Sequence, residues 1–136
     1  MAEISTIFST TRIYKDLSLT FTRNPVTNDV AMVTDAEAVK RSIKLLLLSR
    51  LGETPFFPNF GSRIHTLLFE PVDPITTVLL NHEIIDTLTA FEPRVQIQQL
   101  SVIPNAEESR YDVTLVFTLV NQIQPITLSL FLTRLR

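Results

Sequence analysis

Four glutamates are the residues of this sequence that could do acid–base chemistry, because each is predicted to lie in a loop or on a helix. They are Glu53, Glu70, Glu83 and Glu92. Two carboxyl groups roughly 5 to 9 Å apart suffice for glycoside hydrolysis when they flank a sugar and one has a raised pKa. A peptidoglycan hydrolase is therefore one functional hypothesis. Sugar clefts usually contain Trp and Tyr, however, and this chain has no Trp and two Tyr. We favour the alternative in which the glutamates cap, pair or bind, and we predict that the protein is not an enzyme.

Metal ions and cofactors are not expected. The chain has no cysteine, which excludes disulfides and thiolate zinc sites. Its two histidines, His65 and His82, are interpreted as core or interface residues rather than ligands. With two glycines in all, the chain also lacks a glycine-rich loop that could cradle a phosphate.

The tripeptide Glu92-Pro93-Arg94 presents an acid and a base two positions apart. Pro93 fixes the backbone, and in extended geometry residues two apart point the same way. One interpretation is a rigid fork that pairs with charges on another subunit, since arginine is suited to bidentate pairing with carboxylates. The other is a local ion pair that braces the corner between a helix and a strand. The tripeptide alone leaves both open, and we take all three residues as candidate partner-binding residues.

The stretch from residue 51 to residue 71 is the most aromatic loop of the chain. It holds both glycines, Gly52 and Gly61, and four phenylalanines: Phe56, Phe57, Phe60 and Phe69. Most exposed loops are polar, so this loop must lie against a core or a partner. Phe56, Phe57 and Phe60 are therefore candidate partner-binding residues.

Composition predicts one domain with surplus apolar surface. The chain has 136 residues, 45% of them hydrophobic and 19% charged, a net charge of −2 and a mean hydropathy of +0.23. This charge and the lack of basic runs argue against nucleic acid as a partner, and the longest apolar run is too short to cross a membrane. A permanent interface with other proteins is the simplest use of the surplus.

Periodicity predicts an α+β fold in a single domain. Residues 17–33 are predicted to form a small N-terminal hairpin. Helical patterns cover 34–51 and 73–91, with a short helix over 63–69. Three segments then alternate with period two, and a slip at Gln98-Gln99 indicates a β-bulge. We expect a three-stranded antiparallel C-terminal meander packed by two main helices, with residues 1–13 as an N-terminal arm and residues 14–136 as the domain.

The last predicted strand is apolar and has a free edge. Its alternating residues Ile126, Leu128, Leu130 and Leu132 are the remaining candidate partner-binding residues. An exposed edge is an aggregation hazard in a monomer and a template for strand addition in an assembly.

In combination these motifs resemble the baseplate wedge and sheath-initiator family of contractile tails, found in phages and in type VI secretion baseplates. The resemblance covers roughly residue 35 to the C-terminus and depends on LGE at 51–53, FPNFG at 57–61, LLFEP at 67–71 and EPR at 92–94. Thr54-Pro55 departs from the pattern, where a basic residue is expected.

The resemblance implies a structural role in several copies within a symmetric assembly. Its expected partners are baseplate wedge proteins, hub and spike proteins and the tail sheath protein, to which members offer an edge strand that nucleates sheath polymerisation. It implies a location in the virion tail baseplate, or on the cytoplasmic side of a contractile injection apparatus, after assembly in the bacterial cytoplasm. Some relatives have been labelled lysozymes.

Overall fold

The computed structural model describes residues 15–18, 20–26, 28–29, 32–120 and 122–135, and the statements below concern these residues. The predicted N-terminal arm, residues 1–13, lies outside them. The elements in chain order are β1 (Lys15–Leu17), β2 (Met32–Thr34), α1 (Asp35–Leu48), α2 (Ile64–Leu67), α3 (Pro74–Phe91), β3 (Val95–Asn105), β4 (Arg110–Leu119) and β5 (Ile126–Thr133).

The C-terminal half is the predicted antiparallel meander, with strand order β3-β4-β5. The register of β3 on β4 shifts between Ile97 and Gln99, which confirms the bulge. One face of β4 is buried at every second residue, and these residues share one apolar core with the buried residues of α1 and α3. The predicted α+β class and its two main helices are therefore confirmed.

The start of α3 is fixed by local chemistry, as predicted. Asp73 is the N-cap, its Oδ1 accepts a 2.6 Å hydrogen bond from the Thr76 amide, and Pro74 follows at the first helical position. Hydrogen bonding by Thr76, from its backbone first and its side chain next, holds the pKa of Asp73 below its ordinary value. The helix ends at Phe91, because Pro93 keeps Glu92 out of the helical region.

Several predicted boundaries were wrong, including those of the short helix predicted over 63–69, which spans Ile64–Leu67. The first helix ends at Leu48 rather than residue 51, because the backbone of Arg50 is held in a parallel bridge to Ser62. Strand β1 pairs antiparallel with β2, which confirms the hairpin, but it spans Lys15–Leu17 instead of beginning at residue 17. Phe21 has a φ of +48° and lies in a turn, so it cannot continue the strand.

Candidate functional site

The aromatic loop, defined here as residues 50–61, is closed at its base by backbone contacts. The Ser62 amide donates to the Ser49 carbonyl at 2.9 Å, and the Ser62 hydroxyl donates to the Leu47 carbonyl at 2.8 Å. Gly61 has a φ of +126°, and a Cβ there would lie 2.8 Å from backbone atoms of Ser49 and Arg50. The two ends of the loop thus touch directly, which holds the loop as a compact unit.

The phenylalanines of the aromatic loop divide into one inner and two outer residues. Phe60 is half-buried and packs edge to face on Phe91, the last residue of α3. Phe56 and Phe57 are 89% and 70% exposed. A shallow, mostly apolar pocket of about 390 Å³ lies among these rings. The protein itself therefore covers Phe60 and leaves Phe56 and Phe57 to solvent.

Glu92 and Arg94 pair with each other. The Arg94 guanidinium contacts both oxygens of the Glu92 carboxylate, with the Nη2–Oε2 distance at 2.7 Å. Ser42 of α1 donates its hydroxyl hydrogen to Glu92 Oε2 at 2.7 Å and accepts a 3.2 Å hydrogen bond from Arg94. The cluster connects α1 to the corner between α3 and β3. The local ion pair, one of the two interpretations of this tripeptide, is thus present in the structure.

The ionised form of Glu92 is stabilised despite burial. Its side chain is 4% exposed. Burial raises its pKa more than any other single influence, but the Arg94 and Ser42 hydrogen bonds and the Arg94 charge together bring the pKa below its ordinary value. The Glu92 carboxylate is consequently ionised at neutral pH and engaged within the chain, while the Arg94 side chain is 33% exposed and Pro93 is exposed.

The structure brings two of the predicted partner-binding groups together. Because Phe60 packs on Phe91, the aromatic loop lies beside the 92–94 corner. We call the combination of Phe56, Phe57, Phe60, Pro93 and Arg94 the composite surface. Ser42 could not be inferred from the sequence, since it lies 50 positions from Glu92 and no local pattern connects them.

The predicted residues of β5 face inward. Leu130 and Leu132 are buried in the core, and Ile126 and Leu128 are partly buried against it. Strand β5 pairs with β4 on one side, and within the described chain no further backbone hydrogen bond involves residues 126–133. The four apolar residues therefore fix the strand, and the feature that a partner could contact is its backbone edge.

One face of α3 is also apolar and uncovered. The helix buries Leu80, Ile84 and Leu88 in the core. On its other side four apolar residues are exposed: Ile75, Val78, Leu79 and Ile85. A helix that is apolar on several sides is usually covered on all of them, which fits the surplus apolar surface inferred from composition.

Three of the four glutamates have structural roles. Glu53 accepts from the Arg50 amide at 2.9 Å, Glu83 accepts from the Arg63 amide at 2.8 Å, and Glu92 pairs as described. Glu70 is exposed. The carboxylates are thus distributed over separate caps and pairs.

The histidines lie apart from any grouping of ligands. His65 donates from Nε2 to the Leu48 carbonyl at 2.8 Å, and His82 is exposed on α3. Within the described ranges, no group of three or more His, Cys, Asp or Glu side chains is arranged to hold a metal ion. In the same part of the chain, every helix is too short or too polar to cross a bilayer.

Solved structures with this fold include chains of two baseplates. The baseplate of the anti-feeding prophage contains a chain with a TM-score of 0.70 and 21% identity, covering 82% of this chain and 90% of that one. The post-contraction pyocin R2 baseplate contains one with a TM-score of 0.58 and 19% identity, covering 72% and 96%. A Geobacter sulfurreducens protein with the provisional label of tail lysozyme matches with a TM-score of 0.70 and 25% identity, over 78% and 98%. The fold is therefore one that occurs in baseplate proteins.

Sequence comparison gives the family. Residues 33–124 match the model of the family described as baseplate wedge protein gp25, and the chain belongs to this family. The baseplate wedge protein gp25 of Enterobacteria phage T4 is 28% identical over 93 residues, which is 68% of this chain and 70% of that protein. The expected resemblance is thus confirmed, and with it a structural role in the baseplate of a contractile tail system.

Proposed function

We propose that this chain is a non-enzymatic baseplate component that binds wedge and hub proteins through the composite surface and accepts a strand of the sheath protein at the edge of β5. The β5 edge is the observation that carries the proposal. An unpaired edge in a strand of eight residues leaves donors and acceptors available for another chain.

The two edges of the sheet differ in a way that favours β5. The β3 edge carries the bulge after Ile97 and a proline at Pro104, two features that discourage strand pairing. Residues 126–133 contain neither a proline nor a charged side chain, and their ladder with β4 is continuous. Strand addition is consequently favoured at β5 and opposed at β3.

The composite surface supports the binding of wedge and hub proteins. Phe56 and Phe57 offer exposed aromatic area on a loop closed at its base, and aromatic residues are enriched at the centres of interfaces. Arg94, in the corner that Phe91 of the ring pair directly precedes, adds a side chain that is 33% exposed. A rigid loop loses little conformational freedom on binding, which favours affinity.

Three of the four glutamates support a non-enzymatic role. Hydrogen bonds commit Glu53, Glu83 and Glu92 to capping or pairing within the fold. A hydrolase would need two of these carboxylates free to approach one sugar. We therefore propose that purified protein does not clear suspensions of bacterial cell walls, and clearing that disappears on substitution of one glutamate would contradict this.

The setting we propose is the baseplate of a virion tail or of a contractile injection apparatus, with several copies per symmetric particle and assembly in the bacterial cytoplasm. The gp25 family match and the baseplate structures of similar fold support this setting. Neither nucleic acid nor a membrane is a proposed partner, in keeping with the net charge of −2.

The proposal is tested with charged substitutions on the exposed residues of β5. In Thr127→Lys/Ser129→Lys, the added charges discourage strand pairing without entering the core. We expect the variant to fold normally and to enter baseplates that carry little or no sheath by electron microscopy. The matched control is Gln96→Lys/Gln99→Lys on β3, which should support full sheaths. Normal sheath on the β5 variant would overturn strand addition at this edge.

A further inference from the structure

A second pocket borders the base of the aromatic loop. It has a volume of about 470 Å³ and lies between the base of the loop and α2. Its wall combines apolar, neutral polar and cationic side chains: Leu51, Phe69, Ser62, Thr66, His65, Arg50 and Arg63. The backbone bridge between Arg50 and Ser62 brings the two arginines to one pocket, since Arg63 follows Ser62.

Arg50 and Arg63 are held in the same way, because the backbone amide of each donates a hydrogen bond to a glutamate carboxylate. Glu53 accepts from the Arg50 amide, and Glu83 accepts from the Arg63 amide. Among the residues that the structure describes, no carboxylate lies within ion-pair distance of either guanidinium. Arg63 also borders Glu83 and Asp86, beyond that distance. Arg50 and Arg63 are both exposed residues, which leaves them accessible to an acceptor from outside.

The neighbouring polar groups are already engaged as donors. The Ser62 hydroxyl donates to the Leu47 carbonyl, and His65 donates from Nε2 to the Leu48 carbonyl. These two side chains satisfy carbonyls at the end of α1. Among the described side chains of the pocket wall, the donors left for a ligand are the guanidiniums of Arg50 and Arg63 and the hydroxyl of the exposed Thr66.

We propose that this pocket binds a carboxylate of a neighbouring protein, an Asp or Glu side chain flanked by an apolar residue. A guanidinium matches a carboxylate in a bidentate fork. The exposed side chains of Leu51 and Phe69 provide apolar contact for the flanking residue. The protein nature of the ligand rests on the proposed baseplate role, while the anionic chemistry rests on the pocket alone.

A protein carboxylate fits the pocket better than a polyanion does. The chain has 14 acidic and 12 basic residues, so its overall field does not attract a nucleic acid. Two arginines between apolar walls can bind one carboxylate together with its apolar flanking residue. Inorganic phosphate would gain nothing from the apolar side chains of Leu51 and Phe69.

The test is an NMR titration of the isotopically labelled protein with two short capped peptides, acetyl-Phe-Glu-amide and acetyl-Phe-Gln-amide. We expect the Glu peptide to shift the Nε–H resonances of Arg50 and Arg63 at millimolar concentration, and the Gln peptide not to. Arg50→Gln and Arg63→Gln should each weaken binding about threefold to fivefold, as for an exposed ion pair. Lys44→Gln, which removes an exposed cation of α1 outside the pocket wall, should leave binding unchanged.

The outcomes separate this site from the proposed function. Equal shifts with both peptides, or phosphate that binds as tightly as the Glu peptide, would overturn carboxylate recognition, as would an unchanged affinity in the Arg63→Gln variant. None of these results depends on particle assembly. Failure of the β5 variants to block sheath growth would leave the anionic chemistry of the pocket intact.

Discussion

Phe60 and Phe91 meet edge to face, with ring centroids 5.6 Å apart and ring planes at 71°. Such pairs are favourable because the positive edge of one ring faces the negative face of the other. Since Phe60 belongs to the aromatic loop and Phe91 directly precedes Glu92, the contact fixes where the loop lies relative to the 92–94 corner. The loop that carries the exposed Phe56 and Phe57 is thereby held against the end of α3 before any partner binds.

The two glycines of the aromatic loop should respond differently to alanine. A Cβ at Gly61 would lie 2.8 Å from three backbone atoms, and its φ is +126°. A Cβ at Gly52 would meet nothing within 4 Å, although its φ is +81°. We expect Gly52→Ala to lower the free energy of unfolding by about 1 to 2 kcal/mol, the strain of a left-handed residue. We expect Gly61→Ala to lower it by at least about 3 kcal/mol, because backbone must also move.

Urea denaturation of both variants measures this difference, with the wild type as reference. Equal losses of stability would contradict the prediction, because they would mean that the backbone of Ser49 and Arg50 moves away from the new Cβ at no cost in free energy. If only Gly61→Ala lost its cooperative unfolding transition, the result would agree with the prediction that this variant is the less stable of the two.

Local chemistry was predictable from the sequence, whereas contacts between distant segments were not. Asp73 with Pro74 specifies a helix start from adjacent residues, and the bulge follows from a shift of alternation within one strand. The end of α1 was misplaced because a bridge from Arg50 to Ser62 overrides helical periodicity. Such a bridge depends on the path of the whole loop.

The same distinction applies to the candidate site. The tripeptide at 92–94 and the aromatic loop stand out by composition, so both were found. The choice between an outward fork and a local brace needed the position of Ser42, and their adjacency needed the contact of Phe60 with Phe91. The partner-binding role of these residues stays a prediction.

Removal of the Arg94 guanidinium should destabilise the fold. In Arg94→Ala the Glu92 carboxylate, 4% exposed, would keep only the Ser42 hydrogen bond. Breaking a fully buried pair costs roughly 3 to 5 kcal/mol. Because the Arg94 side chain is 33% exposed, we expect a smaller loss of about 2 kcal/mol, measured by chemical denaturation.

The control for this variant is Lys40→Ala, which removes a surface pair with Glu37 and should change stability by less than about 0.5 kcal/mol. Arg94→Lys keeps the charge and separates the two roles. If it folds stably but fails to enter baseplates, Arg94 also contacts a partner. An Arg94→Ala variant as stable as the wild type would show that the pair does not brace the corner.

The stability contributed by Glu92 should depend on pH in one direction. Its folded-state pKa lies below the ordinary value of 4.5, so the native state binds fewer protons than the unfolded state near that pH. The contribution is therefore complete above pH 4.5 and is lost as the pH falls through the lower folded-state pKa. The difference in free energy of unfolding between wild type and Glu92→Gln should be constant from about pH 7 to 5.5 and shrink below about pH 4.5. A difference that grows on acidification would mean that burial outweighs Arg94 and that the pKa is raised.

Substitutions of the outer and the inner phenylalanines should distinguish an effect on assembly from an effect on folding. Phe56 and Phe57 are 89% and 70% exposed, so Phe56→Ser/Phe57→Ser should change the free energy of unfolding by no more than about 0.5 kcal/mol per site. If a partner covers these rings, the variant should enter baseplates far less often than the wild type, measured by immunoblotting of purified particles. Phe60→Ala is the matched control, because it removes a half-buried ring and its contact with Phe91 and should cost about 2 kcal/mol of stability. Normal incorporation of the folded Phe56→Ser/Phe57→Ser variant would exclude the outer rings from the interface. The apolar face of α3 would then be the surface to test next, since Ile75, Val78 and Leu79 are exposed there without a covering element in the described chain.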